Sequence, residues 1–266
     1  MTQRNRTLLY IAGILIIMMS STFIFPRYGR NTNKKVDTEN NQQEISQEKL
    51  PTVGEEIIQE NQSQYTIYIE KPIIIDLKDS QKQEAANLFI TQSINNLIDD
   101  FKKDLPEETT ETIQSSLEGE YEIIFFSDSL FSIRINYSRY LSGAIDLTIQ
   151  SKVLNYDIEN SKELTLENIF NQESDYLSFI ATTASQQLNS AYSSSDEDIT
   201  NWIKSATSSE KENFSDFVFN KQEILIQFSS DQIGSMIAGA DEVKIPASDL
   251  MQYMSDSSLK TLWEEI

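Results

Sequence analysis

The chain has 266 residues, with 42 acidic and 21 basic side chains, no cysteine and no histidine. The lack of cysteine excludes disulfides, thiol catalysis and thiolate metal sites. The lack of histidine excludes Ser-His-Asp and Cys-His catalytic groups built from this chain alone. Every acidic residue lies at or beyond Asp37, and residues 36–266 carry 42 acidic against 15 basic side chains, a formal charge of −27. Such a surface repels nucleic-acid phosphates and attracts cationic partners, so no nucleic-acid partner is expected.

An uncharged run over residues 7–25 predicts a transmembrane signal anchor, with a cleaved signal peptide as the alternative. A helix of this length spans about 28 Å, close to the thickness of one hydrocarbon core. Residues 1–6 are the expected short cytoplasmic tail. Two basic residues precede the run and four follow it, but long domains translocate largely regardless of such counts. The expected location is the cell membrane, with a single pass and the C-terminal part extracytoplasmic.

Residues 26–63 are predicted to form a disordered linker. They are rich in Asn, Gln, Glu, Lys and Thr, and their few apolar residues are scattered. Such a stretch buries too little apolar surface to offset the entropy lost on ordering.

The folded body is predicted to begin with a small α+β lobe over residues 64–127. Tyr65–Ile69 alternates like a half-buried strand. A long helix is expected over residues 80–103, capped by Asp79 or Ser80. Its apolar positions recur at helical spacing: Ala86, Phe89, Ile90, Ile94, Leu97, Ile98 and Phe101.

Residues 128–266 are predicted as a larger α+β region. Three runs indicate an antiparallel meander, at residues 121–126, 131–140 and 145–156. Helices are expected at residues 174–191 and 196–206, and strands at residues 214–219, 223–228 and 242–245. The predicted fold class is α+β, an antiparallel sheet packed by helices, as one body or as two lobes. One core is predicted to bury Phe131, Ile133, Ile135, Leu147, Ile149, Phe170 and Phe228, and Ile145 and Val153 are also predicted to face inward.

Short motifs in this region resemble a known family. They are Leu130–Ile133, Tyr140–Ala144, Asn155–Asp157, Lys162–Phe170 and a segment from Phe228 through Gly239 to Pro246. In this order they resemble the extracytoplasmic domain of RsiV-type anti-sigma factors, a domain of largely unknown function. The stretch Leu164–Phe170 is the most specific of them. Residues 65–101 are similar to the smaller domain that usually precedes it.

The resemblance implies a binding role. In anti-sigma relatives the domain binds lysozyme, and in others it sits beside a polysaccharide deacetylase. The implied partner is therefore a cationic protein such as lysozyme or a cell-wall polymer. The loops at residues 140–145 and 229–239 are implied to lie together at one end of the sheet. The implied ligand-binding residues are Tyr137, Tyr140, Ser142, Gly143, Ile145, Asp231 and Gly239.

The chain departs from the family at three of these positions. Ser142, Ile145 and Asp231 stand where the family has Gly, His and Tyr, which indicates a different ligand. The six residues before the predicted span leave no room for a sigma-binding segment, so an anti-sigma role is not expected.

The sequence favours a membrane-anchored extracytoplasmic binding module without catalytic residues, cofactor or metal of its own. A structural or assembly component of the cell envelope and a carboxylate-based glycan hydrolase are the alternatives. Glu120 and Glu122 are a poor hydrolase pair, and residues 196–198 are interpreted as an acidic helix N-terminus rather than as a cation site. Tyr137 and Tyr140 are either sugar-stacking residues or ordinary sheet-face aromatics.

Overall fold

The computed structural model describes residues 50–107, 113–192, 197–229, 232 and 241–265. Nine strands lie within these residues: β1 (Thr52–Asn61), β2 (Tyr65–Ile75), β3 (Ser115–Phe126), β4 (Leu130–Tyr140), β5 (Thr148–Asp157), β6 (Lys162–Glu163), β7 (Phe217–Phe219), β8 (Glu223–Phe228) and β9 (Asp241–Pro246). The α-helices described are α1 (Ser80–Lys103), α2 (Leu166–Ile169), α3 (Tyr176–Ala191), α4 (Glu197–Ala206), α5 (Ala247–Leu250) and α6 (Ser258–Glu264), with short 3-10 helices at Lys211–Phe214 and Met251–Tyr253. The predicted α+β class is confirmed.

A six-stranded sheet has the order β1-β2-β3-β4-β5-β6. All neighbouring pairs are antiparallel except β2 and β3, which run parallel from Tyr65↔Ser115 to Ile69↔Gly119. A parallel pair needs a long crossover, and α1 lies in the connection between these two strands. The prediction of a purely antiparallel sheet is wrong at this pair.

Helix α1 forms where its capping residue and apolar spacing predict it. The Asp79 carboxylate accepts hydrogen bonds from the backbone N–H groups of Gln81 and Lys82, at 2.9 and 3.2 Å, which satisfies two of the free donors at the helix start. One face of the helix is buried against the six-stranded sheet. We call this the first core. From the helix it contains Ala86, Ile90, Ile94, Ile98 and Phe101. From the sheet it contains Ile67, Ile69, Ile74, Leu117, Phe131, Ile133, Ile135, Leu154 and Tyr156, and Ile158 joins it just after β5.

A second sheet, with the order β7-β8-β9, packs on the opposite face of β4 and β5. Residues that alternate with the first core, Ser132 and Asn155, make the contacts between the two sheets. Helices α3 and α4 and the C-terminal helices complete a second core, which holds Phe170 and Phe228. The residues predicted to share one core therefore divide between two.

The inward face of β5 differs from the prediction. Leu147 and Ile149 are 47% and 75% exposed, and Ile145 is 96% exposed, whereas Leu154 and Tyr156 are buried. The register pairs Leu154 with Ile133 and Tyr156 with Phe131, so the even-numbered residues of β5 face α1. A period-two pattern does not tell which face of a strand meets the core, and the predicted phase was wrong.

Strand β1 lies in the segment predicted as linker. It pairs with β2 along its whole length, from Thr52↔Ile75 to Asn61↔Thr66. Val53 and Ile58 pack against the first core, and the ladder satisfies backbone groups that composition alone does not reveal. The linker prediction is wrong for residues 52–61, and residues 26–49 lie outside the described residues.

The predicted lobe boundary at residue 127 falls in the tight turn between β3 and β4, where Ser127 N–H donates to the Leu130 carbonyl at 2.9 Å. The predicted anchor at residues 7–25 and the tail at residues 1–6 lie outside the described residues. Across residues 50–265, apart from the gaps given above, no helix is both long and apolar enough to cross a membrane.

Candidate functional site

The turn at residues 140–145 lies at the end of β4. Ala144 N–H donates to the Leu141 carbonyl at 2.8 Å, and Ser142 N–H donates to the buried Ser115 hydroxyl at 2.9 Å. Gly143 has a φ of +89° with open space around its Cα, a conformation that favours glycine. The turn is thus anchored at its base, and its tip, with Ile145, projects into solvent.

Tyr137 and Tyr140, predicted to share a site, lie on opposite faces of the sheet. Tyr137 packs against the first core and donates to Gln150 Oε1 at 3.0 Å. Burial raises the pKa of the Tyr137 hydroxyl. Tyr140 pairs with Ser116 and lies on the face away from α1. Tyr137 is therefore a packing residue, while Tyr140 remains available at the surface.

Asp231 and Gly239 lie outside the described residues, as does most of the loop that carries them. At the start of that loop, Ser229 N–H donates to Gln232 Oε1 at 2.9 Å. The expected proximity of the two loops stays a prediction.

Three motif residues are structural. The Ser132 hydroxyl donates to Asn155 Oδ1 at 2.6 Å and accepts from Phe219 N–H at 3.0 Å. Asn155 Nδ2 donates to the Phe217 carbonyl at 2.6 Å. Asp157, fully buried, accepts from Asn160 N–H and from the Ser258 hydroxyl. These bonds join the two sheets and hold α6, so these three motif residues have structural roles.

The part of the six-stranded sheet that the second sheet leaves uncovered bears an acidic and aromatic surface. Its strands pair Tyr68 with Glu118 and Ser116 with Tyr140, and alternation places these residues on one side. We define the acidic face as Tyr68, Glu70, Glu118, Glu120 and Tyr140. Glu118 and Glu120 are exposed, and Tyr68 is 42% exposed.

The carboxylates of the acidic face repel one another. Burial raises the pKa of Glu70, and the neighbouring Glu55 and Glu120 raise it further. The part of this rise that comes from Glu55 and Glu120 shows that negative charges lie close together here.

Arg134 marks the border between the acidic face and the second sheet. Its Nη2 lies 2.7 Å from Glu242 Oε2, and its Nη1 lies 3.5 Å from Glu122 Oε2. Glu122 is thereby partly neutralised, unlike Glu118 and Glu120, for which no ion pair is recorded within the described residues. The acidic face ends at this arginine.

Of the residues on the acidic face, Tyr140 was a predicted site residue, whereas Tyr68, Glu70, Glu118 and Glu120 were not. The signal was present as alternation: Glu118, Glu120 and Glu122 occupy every second position of β3. What the sequence lacked was the parallel pairing that brings Tyr68 and Glu70 beside them.

A cleft of about 220 Å³ lies beside the motif stretch Leu164–Phe170. The cleft is lined by residues 163–167, Lys211, Glu212, Ser215, Val153, Asn155 and Phe217. Lys211 Nζ lies 2.8 Å from Glu167 Oε1. This hydrogen bond lowers the pKa of Glu167 and raises that of Lys211. Because both side chains are about half exposed, the pair contributes little to stability.

An open groove of about 690 Å³ runs along the end of β3. It is lined by residues 51–53, 123–126 and 220–222, most of which are apolar. Ile123 is 44% exposed within it. Within the described part of the chain, no group of three or more acidic side chains is arranged to hold a metal ion.

Comparison with known proteins agrees with this architecture. Residues 167–248 match the model of DUF3298, a protein family of unknown function. The peptidoglycan-N-acetylmuramic acid deacetylase PdaC of Bacillus subtilis is 27% identical over 154 residues, which cover 58% of this chain and 32% of the deacetylase. The matched segment therefore spans about a third of that relative's length.

Two solved structures share the fold. A member of the DUF3298 family from Bacteroides fragilis superimposes with a TM-score of 0.61 at 14% identity, covering 81% of this chain and 98% of the other. A DUF3298 family protein from Pseudomonas aeruginosa gives a TM-score of 0.55 at 10% identity, covering 78% and 96%. In sequence over residues 167–248, and in fold over most of its length, this chain is similar to DUF3298 proteins.

Proposed function

We propose that this chain is a membrane-anchored extracytoplasmic binding module of the RsiV type, which recognises a cationic partner protein through the acidic face. In this proposal residues 7–25 hold the protein in the membrane, and the chain acts by binding rather than by catalysis. The observation that carries the proposal is the clustering of Glu70, Glu118 and Glu120 on an exposed part of the sheet.

The chemistry of the acidic face favours a protein partner. Tyr68 and Tyr140 lie among the carboxylates, and tyrosines commonly anchor protein interfaces because they bury a large ring and keep a polar end. Lysine and arginine side chains would pair with the glutamates at the rim. The excess of acidic residues over the whole body would also speed the approach of a cationic protein.

The similarity to PdaC supports a location in the cell envelope. That relative is named for its action on peptidoglycan, which lies outside the cytoplasmic membrane. A cationic protein that acts on the same wall, such as lysozyme, fits both this location and the charge of the acidic face.

Binding of hen egg-white lysozyme to the full chain in mild detergent tests the proposal. A triple variant removes the charges of the acidic face: Glu70→Gln, Glu118→Gln and Glu120→Gln. We expect it to bind at least about tenfold more weakly, since three ion pairs of about 0.5 kcal/mol each are lost.

The matched control removes three exposed carboxylates outside the acidic face: Glu84→Gln, Glu173→Gln and Glu265→Gln. It changes the net charge equally, so its affinity should fall by less than about threefold, because charges beyond a Debye length are screened. Equal losses in the two triple variants, or no binding of lysozyme by the wild-type chain, would rule out the acidic face as the recognition surface.

The cleft beside Leu164–Phe170 supports a second candidate, binding of a wall glycan. Its volume suits a sugar ring, and its lining includes Lys211 and Glu167, which can form hydrogen bonds, together with apolar residues such as Leu164 and Phe217. Sedimentation with insoluble peptidoglycan tests it. Lys211→Gln should reduce the bound fraction several-fold if the cleft holds the glycan, and an unchanged fraction would exclude this role.

A further inference from the structure

Among the residues that the structure describes, strand β3 has a backbone edge without a partner strand. Its pairing with β2 ends at Ile69↔Gly119. Beyond that point β2 continues to Ile75 with β1 as its partner, while β3 continues through Glu120–Phe126 with β4 as its partner. The two strands diverge, and Glu120–Phe126 presents a row of backbone groups about 20 Å long on the side away from β4.

Side chains cover the neighbouring free edges of both sheets. Asn87 pairs with the Ile74 backbone on β2, donating to its carbonyl and accepting from its N–H, both at 2.8 Å. Gln187 pairs with the Lys244 backbone on β9 in the same way, at 2.7 and 3.2 Å. Ser132 and Asn155 cover the edge of β7. These amides and hydroxyls do what an added strand would do.

The edge of Glu120–Phe126 has no such cover within the described part of the chain, where its backbone is hydrogen-bonded to β4 alone. The open groove of about 690 Å³ lies along it, and extended peptides bind such edges by adding a strand, with side-chain pockets giving specificity. Strands β1 and β5 also have outer edges, but the groove lines β3.

Charge complementarity indicates which kind of segment would bind to the free edge of β3. Glu120 projects from the free segment and lies near Glu70, whose pKa is raised by burial and, to a smaller extent, by the charges of Glu55 and Glu120. A second copy of this chain would bring like charges together across the edge, which is unfavourable. A segment with lysine or arginine at alternate positions would meet the glutamates, and its apolar residues would meet Ile123 and Val53 in the groove.

We propose that the free edge of β3, Glu120–Phe126, takes up an extended basic and apolar segment of a partner protein as an additional strand of the six-stranded sheet. The inference rests on the proposed function, because it supplies the docking site for a cationic partner. The backbone groups provide the affinity, and the groove and the carboxylates select the segment.

A ten-residue synthetic peptide of alternating lysine and valine tests the proposal on the full chain in mild detergent. Two further peptides carry N-methyl groups, one on every lysine and one on every valine. In a strand added in a single direction, alternate N–H groups point toward β3, so one of the two methylated peptides blocks the pairing in that direction and the other leaves it intact. We expect their dissociation constants, measured by fluorescence anisotropy, to differ at least tenfold.

The peptide measurements can overturn the proposal in three ways. Equal affinities of the two methylated peptides, or no binding of the unmodified peptide, would overturn strand addition. Lysozyme binding, measured in a parallel assay, distinguishes failure of strand addition from failure of the proposed function. The chain can still bind lysozyme when none of the peptides binds. A dimer of the chain that the peptide dissociates, detected by analytical ultracentrifugation, would assign the edge to a second copy and likewise overturn the proposal.

A groove variant gives an independent check. Ile123→Ser should weaken the unmodified peptide about fivefold or more, while Ile149→Ser, an exposed isoleucine on β5, should leave its affinity unchanged. Circular dichroism confirms that both variants fold. Amide hydrogen exchange should slow at residues 120–126 when the peptide binds. Unchanged exchange there would place the peptide elsewhere.

Discussion

Ser132 and Asn155 join the two sheets through a buried hydrogen-bond network in which every connection is made between side chain and backbone or between the two side chains. Both residues are almost completely buried. A buried polar group without its partner costs about 1–3 kcal/mol, so this network specifies how the sheets pack. The same two residues belong to the motifs that resemble the RsiV-type family. Their role in joining the two sheets accounts for their place in those motifs.

Removing the Ser132 hydroxyl should therefore destabilise the fold. Ser132→Ala leaves Phe219 N–H without an acceptor and Asn155 Oδ1 without a donor, and we expect a loss of about 2 kcal/mol in the free energy of unfolding. Urea unfolding followed by tryptophan fluorescence measures it. Ser151→Ala, which removes a hydroxyl bonded to the Gln227 side chain nearer the surface, should cost less than about 1 kcal/mol. Equal costs would deny the special role of the buried network.

Two glutamates predict opposite effects of pH on stability. The hydrogen bond from Lys102 lowers the pKa of Glu60 from 4.5, so its contribution is present above the unfolded pKa and is lost as the pH falls through the folded pKa. Burial raises the pKa of Glu70. Its ionised form therefore weakens the fold at neutral pH, and protonation relieves that cost as the pH falls through its folded pKa.

At neutral pH, Glu60→Gln should lower the free energy of unfolding and Glu70→Gln should raise it. Each change should be about 0.5 kcal/mol, because both side chains are partly exposed. Both differences should shrink at about pH 3, because the contribution of Glu60 is lost as the pH falls toward its folded pKa and Glu70, whose pKa is raised, is already protonated. Urea titrations at the two pH values measure them, and changes of the same sign at neutral pH would contradict the assignment.

Among the elements, those with local signals were predictable and those with distant partners were not. Helix α1 has a capping aspartate and a continuous apolar stripe, and it begins and ends where the sequence predicts. Strand β1 has three glutamates on an exposed edge and resembles a linker until β2 is placed beside it. The parallel pairing of β2 with β3 and the inward phase of β5 depend on non-local register, which a single sequence pattern does not encode.

Phe170 links α2 to α3 and tests the second core. It is 1% exposed and stacks on Tyr176 with ring centroids 4.8 Å apart. Phe170→Ala should cost about 3–5 kcal/mol, because it leaves a cavity between elements that are held on several sides. Ile149→Ala, at an exposed position, should cost less than about 0.5 kcal/mol. Thermal unfolding compares them, and a loss below about 1 kcal/mol for Phe170 would show that this loop does not pack as described.

For the whole molecule, net charge predicted a cationic partner but not where that partner contacts the chain. The acidic face arises only when β2 and β3 align, which places Tyr68 and Glu70 beside Glu118 and Glu120. Tyr140, the predicted site residue on this face, should anchor the contact. Tyr140→Ala should weaken lysozyme binding by about 2 kcal/mol, measured by titration calorimetry, and Tyr137→Phe on the opposite face should leave it unchanged.

The salt dependence of association tests the acidic face most directly. The on-rate of lysozyme to the full chain, measured at about 0.05 and 0.5 M salt, should fall at least tenfold as screening rises, since the Debye length shrinks well below the size of the face. The triple variant Glu70→Gln, Glu118→Gln, Glu120→Gln should lose most of that dependence. An on-rate that stays constant with salt, or a triple variant as salt-sensitive as the wild-type chain, would contradict recognition through the acidic face.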